Sequence, residues 1–122
     1  MAGIYIHIPF CKSRCIYCGF FSTTSLQQRH AYVDAVVKEL RLRQDFLAGE
    51  PIDTVYFGGG TPSQLSPDEL EKILETIHNI YNVREDAEVT LEGNPDDMTT
   101  VFLHRLRQMG INRLSMGEQT SD

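Results

Sequence analysis

Cys11, Cys15 and Cys18 fall within eight residues of the stretch "PFCKSRCIYCGFFS", spaced C-x3-C-x2-C, and they are the only cysteines in the chain. An odd number of crowded thiols suits a metal or a cluster better than a disulfide, above all where thiols stay reduced. Iron–sulfur clusters normally take four thiolates. Three thiolates on a four-iron cluster leave one iron open, and an open coordination position marks a site that binds something, as at catalytic zinc. The amine and carboxylate of an amino acid can chelate such an iron. Phe10, Ile16, Tyr17, Phe20 and Phe21 surround the cysteines in sequence, and an apolar shell of this kind limits solvent access and helps set a redox potential. Two other readings stand beside this one. A zinc site of the Cys3His type would recruit His7, which needs a turn, because a fully extended strand leaves His7 ~13 Å from Cys11. Three buried structural cysteines with no ligand form the other.

The elements that must position these residues alternate. "IYIHI", Ile4 to Ile8, is short and β-branched and predicts a strand with Ile4, Ile6 and Ile8 on one face and Tyr5 and His7 on the other. A helix is expected from Ser25, with Ser25-x-x-Gln28 as a capping box, through Val33, Val36, Val37, Leu40 and Leu47 to a stop at Gly49–Pro51. Asp53 to Gly60 predicts a second strand that runs into glycines. Ser66, Pro67 and Glu69 signal a second helix with an apolar stripe of Leu70, Ile73, Leu74, Ile77 and Ile80. Ala87 to Pro95 predicts a third strand, stopped by Gly93, Asn94 and Pro95. Thr99 or Thr100 opens a third helix with Leu103, Leu106 and Met109 on one face and Gly110 after its end, and Asn112 to Gly117 predicts a fourth strand. The order β-α-β-α-β-α-β predicts an α/β fold with parallel strands and right-handed crossovers. A four-stranded parallel sheet would leave its last strand an exposed edge, so a piece of a larger barrel is favoured over a small open sheet.

Four unusual segments follow the four strands: the cysteines, Gly58-Gly59-Gly60-Thr61-Pro62, Glu92-Gly93-Asn94-Pro95 and Gly117-Glu118-Gln119. Ligands of parallel α/β proteins sit at the carboxyl ends of the strands, where these loops converge, so the four point to one site. The glycine run lacks both a G-x-x-x-x-G-K-[ST] phosphate loop and the third glycine of a dinucleotide fingerprint. Its expected use is close backbone approach to a small ligand, with exposed amides and carbonyls as partners, and the plain alternative is a tight turn. Glu92 at a strand end can accept two hydrogen bonds from a ribose diol, and the plain alternative is an exposed charge.

The whole chain bounds the partners. Its 122 residues suit one domain and are short for a closed α/β barrel, which takes ~200 or more. The net charge is −6 and the 11 basic residues are dispersed, which argues against a nucleic-acid partner. No apolar run approaches the ~18 residues of a membrane span. "MAGIYIHIPFC" lacks the features of a signal peptide, so a cytoplasmic location is expected.

Together, "YIHIPFCKSRCIYCGFFS", "FGGGTPS", "EGNP" and "RLSMG" resemble the radical S-adenosylmethionine (SAM) enzymes, and among them the oxygen-independent coproporphyrinogen III oxidase group. The resemblance covers nearly the whole chain. It implies the first part of a partial TIM-like radical SAM barrel, with a [4Fe-4S] cluster on Cys11, Cys15 and Cys18 and SAM bound through its amine and carboxylate to the open iron. It also implies SAM contacts from Tyr5, Tyr17, Gly59, Gly60, Thr61, Glu92 and Gln119. An electron donor of the flavodoxin or ferredoxin type would reduce the cluster, and reductive cleavage of SAM would yield methionine and a 5′-deoxyadenosyl radical that abstracts hydrogen. No catalytic acid or base is assigned.

Oxidases of the group carry an extension before the tyrosine and a fourth cysteine two residues after the third, where this chain has Phe20. The similarity therefore favours the heme chaperone (HemW) branch, which implies heme or porphyrin as ligand and a heme-accepting protein as partner, over porphyrinogen oxidation. His30, His78 and His104 fall in or beside expected helices and are expected at the surface rather than as heme ligands. Glu118 and Ser121 depart from the group's pattern. With the later strands and the C-terminal domain absent before Asp122, residues 1–122 are expected to be the N-terminal portion of a radical SAM core.

Overall fold

The structure is a computed structural model that describes residues 2–9 and 25–116, with side chains from residue 27 onward in the second stretch. Its elements are β1 (Ala2–Ile8), α1 (Ser25–Leu42), β2 (Ile52–Gly59), α2 (Pro67–Ile80), β3 (Val83–Gly93), α3 (Thr100–Met109) and β4 (Arg113–Met116). Short 3-10 turns at Pro62–Gln64 and Pro95–Asp97 follow β2 and β3. The four strands form one parallel sheet in the order β1-β2-β3-β4. Each crossover advances one strand in the same direction, and right-handed crossovers of that kind put all the helices on one face.

The expected α/β alternation is therefore what forms, and strand parity does the sorting. Ile6, Ile8, Val55, Phe57, Val89 and Leu91 point to the helix side and are buried, against Val33, Leu40, Leu70, Ile73, Leu74, Ile77, Phe102 and Leu106. The register carries this row by row: Ile6 stands opposite Phe57, and Phe57 opposite Leu91. The other face carries Tyr5, His7, Tyr56, Glu92, Arg113 and Ser115, none of them buried.

Local signals explain most boundaries. Ser66 accepts from the Glu69 amide while the Glu69 carboxylate accepts from the Ser66 amide, the reciprocal capping box read from the sequence, with Pro67 in the first turn. Thr99 caps α3 by accepting from the Phe102 amide. Asn112 pins β4 to β3, because its side chain accepts from the Val89 amide and donates to the Ala87 carbonyl. Ion pairs join the helices across their outer surfaces, Lys72 to Asp34 and Arg105 to Asp68 and Glu71.

Two boundaries and one helix face differ from expectation. The first helix ends at Leu42 rather than near Gly49. The amides of Gln44, Phe46, Ala48 and Glu50 each bond three residues back, and Ala48 and Gly49 take positive φ, so the chain tightens into turns. Leu47 still packs on the core, but from a turn, which is why its helical spacing misled. The third strand starts at Val83 instead of Ala87, because Ile52 pairs with Val83 before the register shifts to Thr54 opposite Glu88. In α3 the inward residue is Phe102, 9% exposed, rather than Leu103, 37% exposed, since Phe102 lies one turn before Leu106 on the same stripe. The proposed capping role of the Ser25 side chain falls outside the described residues.

Candidate functional site

The carboxyl ends of β1, β2 and β3 bring together Tyr5, the glycine run and Glu92. Alternation puts Tyr5 and His7 on the face away from the helices, and Tyr5 is 57% exposed. Tyr5 stands in register with Tyr56, and Tyr56 with Thr90. The rings of Tyr5 and Tyr56 stack with centroids 5.8 Å apart and planes at 17°. The Tyr56 hydroxyl donates to Glu92 Oε2 at 2.6 Å, and the Gly59 amide donates to Glu92 Oε1 at 3.1 Å. Both carboxylate oxygens are thus held, from β2, at the strand ends.

Donating to the Glu92 carboxylate raises the Tyr56 pKa above the ordinary tyrosine value, and burial adds to the rise. A hydrogen bond from Ser115 and the charge of Arg113 oppose it.

The glycines are fixed by what lies over them. A Cβ on Gly58 would sit 2.8 Å from the Tyr5 hydroxyl and 2.9 Å from a Tyr56 ring carbon. Gly59 has φ of 112°, in the region side chains avoid, and a Cβ there would sit 2.8 Å from the His7 ring and from the Ile8 carbonyl. The Gly60 amide donates to the Ile8 carbonyl at 2.7 Å. The expectation of exposed amides is corrected here: the Gly59 and Gly60 amides are engaged inside the fold, by Glu92 and by β1. Thr61 precedes the 3-10 turn, and its hydroxyl caps nothing in it.

Behind this rim the loops after β2 and β3 are laced together. Ser63 donates to Asp97 Oδ2 at 2.6 Å and accepts from the Asn94 amide at 3.0 Å, and Gln64 donates to both Asp97 oxygens. A Cβ on Gly93 would collide with the Met98 methyl, 2.4 Å away, and sits 3.1 Å from Ser63. The glycine motif and the Glu92 segment therefore form one rigid unit rather than two separate loops.

Of the residues singled out by sequence, Tyr5, Gly59, Gly60, Thr61 and Glu92 are described. Cys11, Cys15, Cys18, Tyr17 and Gln119 lie outside the described residues. Among the described residues no group of three or more His, Asp or Glu side chains gathers to hold a metal ion. His7 faces the same side as Tyr5, with its Nδ1 3.4 Å from the Tyr5 hydroxyl. The other histidines sit on three separate helices. His30 lies 3.6 Å from the Glu69 carboxylate, His78 bonds the Leu74 carbonyl of its own helix, and His104 is exposed on α3. Sequence reasoning passed over Tyr56, Ser63 and Asp97. Parity alone would have found Tyr56, which is two residues before Gly58 and so shares its face.

The rim fits a nucleotide that carries a diol. Glu92 accepts one hydrogen bond on each oxygen, which leaves each a further lone pair, and the bare backbone at Gly58 and Gly59 keeps bulk away from it.

The Radical SAM superfamily pattern matches residues 5–122, and the chain belongs to that superfamily. Membership implies a [4Fe-4S] cluster and SAM. The chain is 43% identical over 122 residues to the heme chaperone HemW of Synechocystis, covering 94% of this chain and 29% of the relative. It is 35% identical over 119 residues to the oxygen-independent coproporphyrinogen III oxidase of Escherichia coli, covering 96% of this chain and 26% of that protein. Its fold matches the solved structure of the E. coli coproporphyrinogen III oxidase HemN, a radical SAM enzyme, with a TM-score of 0.81 at 29% identity over 99% of this chain and 29% of the other. These relatives are a heme chaperone and oxygen-independent coproporphyrinogen III oxidases, and the chain spans less than a third of their length. Among the described residues, no helix is long and apolar enough to cross a membrane.

Proposed function

We propose that residues 1–122 form the N-terminal portion of the core of a radical SAM protein that binds heme and delivers it to an accepting protein. In this reading Cys11, Cys15 and Cys18 hold the [4Fe-4S] cluster. Tyr5, Tyr17, Gly59, Gly60, Thr61, Glu92 and Gln119 hold SAM. When bound, the pair supplies one-electron chemistry, fed by a donor of the flavodoxin or ferredoxin type. The chain's own residues bind and orient: Glu92 offers fixed acceptors to the ribose, Tyr5 an aromatic surface, and the glycine run a backbone without side chains. The observation that carries the reading is the Glu92 carboxylate, pinned by Tyr56 and Gly59 at the carboxyl end of a sheet whose first strand ends three residues before Cys11 in the sequence. The sheet's two outer strands, β1 and β4, have no further partner among the described residues, which supports a place within a larger barrel. A cytoplasmic setting suits cysteines that must stay reduced.

The heme branch is favoured by Phe20, which stands where oxidases of the group carry a fourth cysteine, and by the 43% identity to a heme chaperone. The second reading is oxidation of coproporphyrinogen III in porphyrin biosynthesis, favoured by the fold match to the E. coli oxidase. Heme titration of the whole protein, reconstituted without oxygen, separates the two when run beside a coproporphyrinogen decarboxylation assay. Stoichiometric heme binding without decarboxylation is the expected result. Turnover of coproporphyrinogen with no heme retention would transfer the protein to the oxidase reading.

A further inference from the structure

Tyr56 sits on the open face of β2 and ties together the strands on either side of it. Its ring stacks on Tyr5 of β1, and its hydroxyl donates to Glu92 of β3 at 2.6 Å. The core does not need this side chain, because its neighbours Val55 and Phe57 fill the helix side and are fully buried. What Tyr56 does supply is a fixed donor. A carboxylate turns freely about its last torsion, and one amide, that of Gly59, would leave Glu92 free to turn. A second donor, on the other oxygen, fixes the plane. The bond is short and ends on a charged acceptor, which is the stronger kind of hydrogen bond. A carboxylate fixed in this way presents two acceptors at a set spacing, which is what two neighbouring hydroxyls on one sugar require.

We propose that Tyr56 is a positioning residue that sets the plane of the Glu92 carboxylate and seats the Tyr5 ring, so that the rim selects a nucleotide with an intact ribose diol over its deoxyribose counterpart. The inference rests on the reading that Glu92 meets the ribose of SAM, and it adds the source of the selectivity. Glu92 is the contact. Tyr56 acts through it.

The test uses the whole protein carrying this chain, reconstituted anaerobically and reduced. The change in the cluster's EPR spectrum is titrated with SAM and with 2′-deoxy-SAM. The unaltered protein should prefer SAM by about tenfold or more, because a site built to bond a hydroxyl rejects the analogue that lacks it. Tyr56→Phe should keep its iron and sulfide content and lose about tenfold or more in SAM affinity, as expected for one hydrogen bond to a charged group. Affinity for the 2′-deoxy form should barely move, so the preference collapses. In a Glu92→Gln background Tyr56→Phe should add no further loss, the mark of residues acting as a unit. Should Tyr56→Phe lose its cluster, 3-fluorotyrosine at position 56 keeps the ring and the bond to Glu92 but makes a stronger donor; it should shift SAM affinity and leave the 2′-deoxy form where it was, and equal shifts for both nucleotides would overturn the inference.

SAM affinity and preference within twofold of the unaltered protein in Tyr56→Phe would overturn the inference while leaving the SAM reading intact. An equal loss for both nucleotides, or full additivity with Glu92→Gln, would also overturn it, since either marks a merely structural role. An unaltered protein that binds SAM without preferring the diol, or does not bind SAM at all, would remove the ribose from Glu92 and take the inference with it.

Discussion

The two faces of the sheet are made by the same strands and could hardly differ more. The face under the helices is a continuous row of Ile6, Phe57 and Leu91 with Ile8, Val55 and Val89 around it, buried and without a polar atom in the side chains. The face one residue away carries two tyrosines, a histidine, a carboxylate, an arginine and a serine. A period of two separates the work cleanly. One face supplies the burial that holds the fold, worth roughly 25 cal/mol per Å² of apolar surface. The other face is left free to carry chemistry at little cost to the fold. Substitutions on the two faces should accordingly fail in different ways.

The largest effect is expected at the cysteines. Cys15→Ala in the anaerobically reconstituted whole protein should abolish the cluster, with iron and sulfide falling to background and the brown colour lost, while the fold of the sheet survives by circular dichroism. Retention of the full cluster would break the division at its most important point. On the helix face, Phe57→Ala should destabilise by about 3–5 kcal/mol through lost burial and an unfilled cavity. The check is a denaturant midpoint. Glu92→Gln should do the opposite, costing SAM affinity with only a small change in midpoint, since amide and carboxylate have nearly the same shape. If the two variants lost stability equally, the faces would not be separate.

Gly59→Ala falls between the faces. Its φ of 112° costs an L-residue about 1–2 kcal/mol, and the new Cβ meets the Ile8 carbonyl, which is backbone and cannot swing aside. A drop in melting temperature together with weaker SAM binding is expected, and unchanged values for both would refute the strain argument.

The smallest effect is a pH dependence. The folded pKa of Tyr56 is raised, mainly by its bond to Glu92. The stability this contributes is present below the unfolded tyrosine value of about 10 and is lost as pH rises through the higher folded value. Tyr32 and Tyr81 are raised by burial and act in the same direction. The readout is therefore the difference in melting temperature between the unaltered protein and Tyr56→Phe. That difference should shrink above pH 10, and a gap that widened there would contradict the assignment.

How much of this was legible beforehand follows from the kind of signal each residue gives. The strand and helix order, the Ser66 cap and the Tyr5 parity are local patterns, read within a few residues, and the fold follows them. The end of α1 was misread because Leu47 keeps a helical spacing while the chain around it tightens into turns. Phe102 was passed over for Leu103 because both are apolar and only the packing tells which one faces in. The glycine motif was recognised, but the destinations of its amides were not: Gly59 to Glu92 and Gly60 to Ile8 are bonds across 33 and 52 positions of chain. The lacing of Ser63 to Asp97 is likewise a tertiary fact that no short window contains.

All of these contrasts depend on the rim of the sheet holding a sulfonium nucleotide against a three-cysteine cluster. The most direct measurement is the EPR spectrum of the reduced, cluster-loaded whole protein recorded before and after addition of SAM. The account predicts a brown protein whose cluster signal changes on addition and saturates at one equivalent per chain. A cluster signal that ignores SAM, or a colourless protein with one zinc on the cysteines, would contradict it.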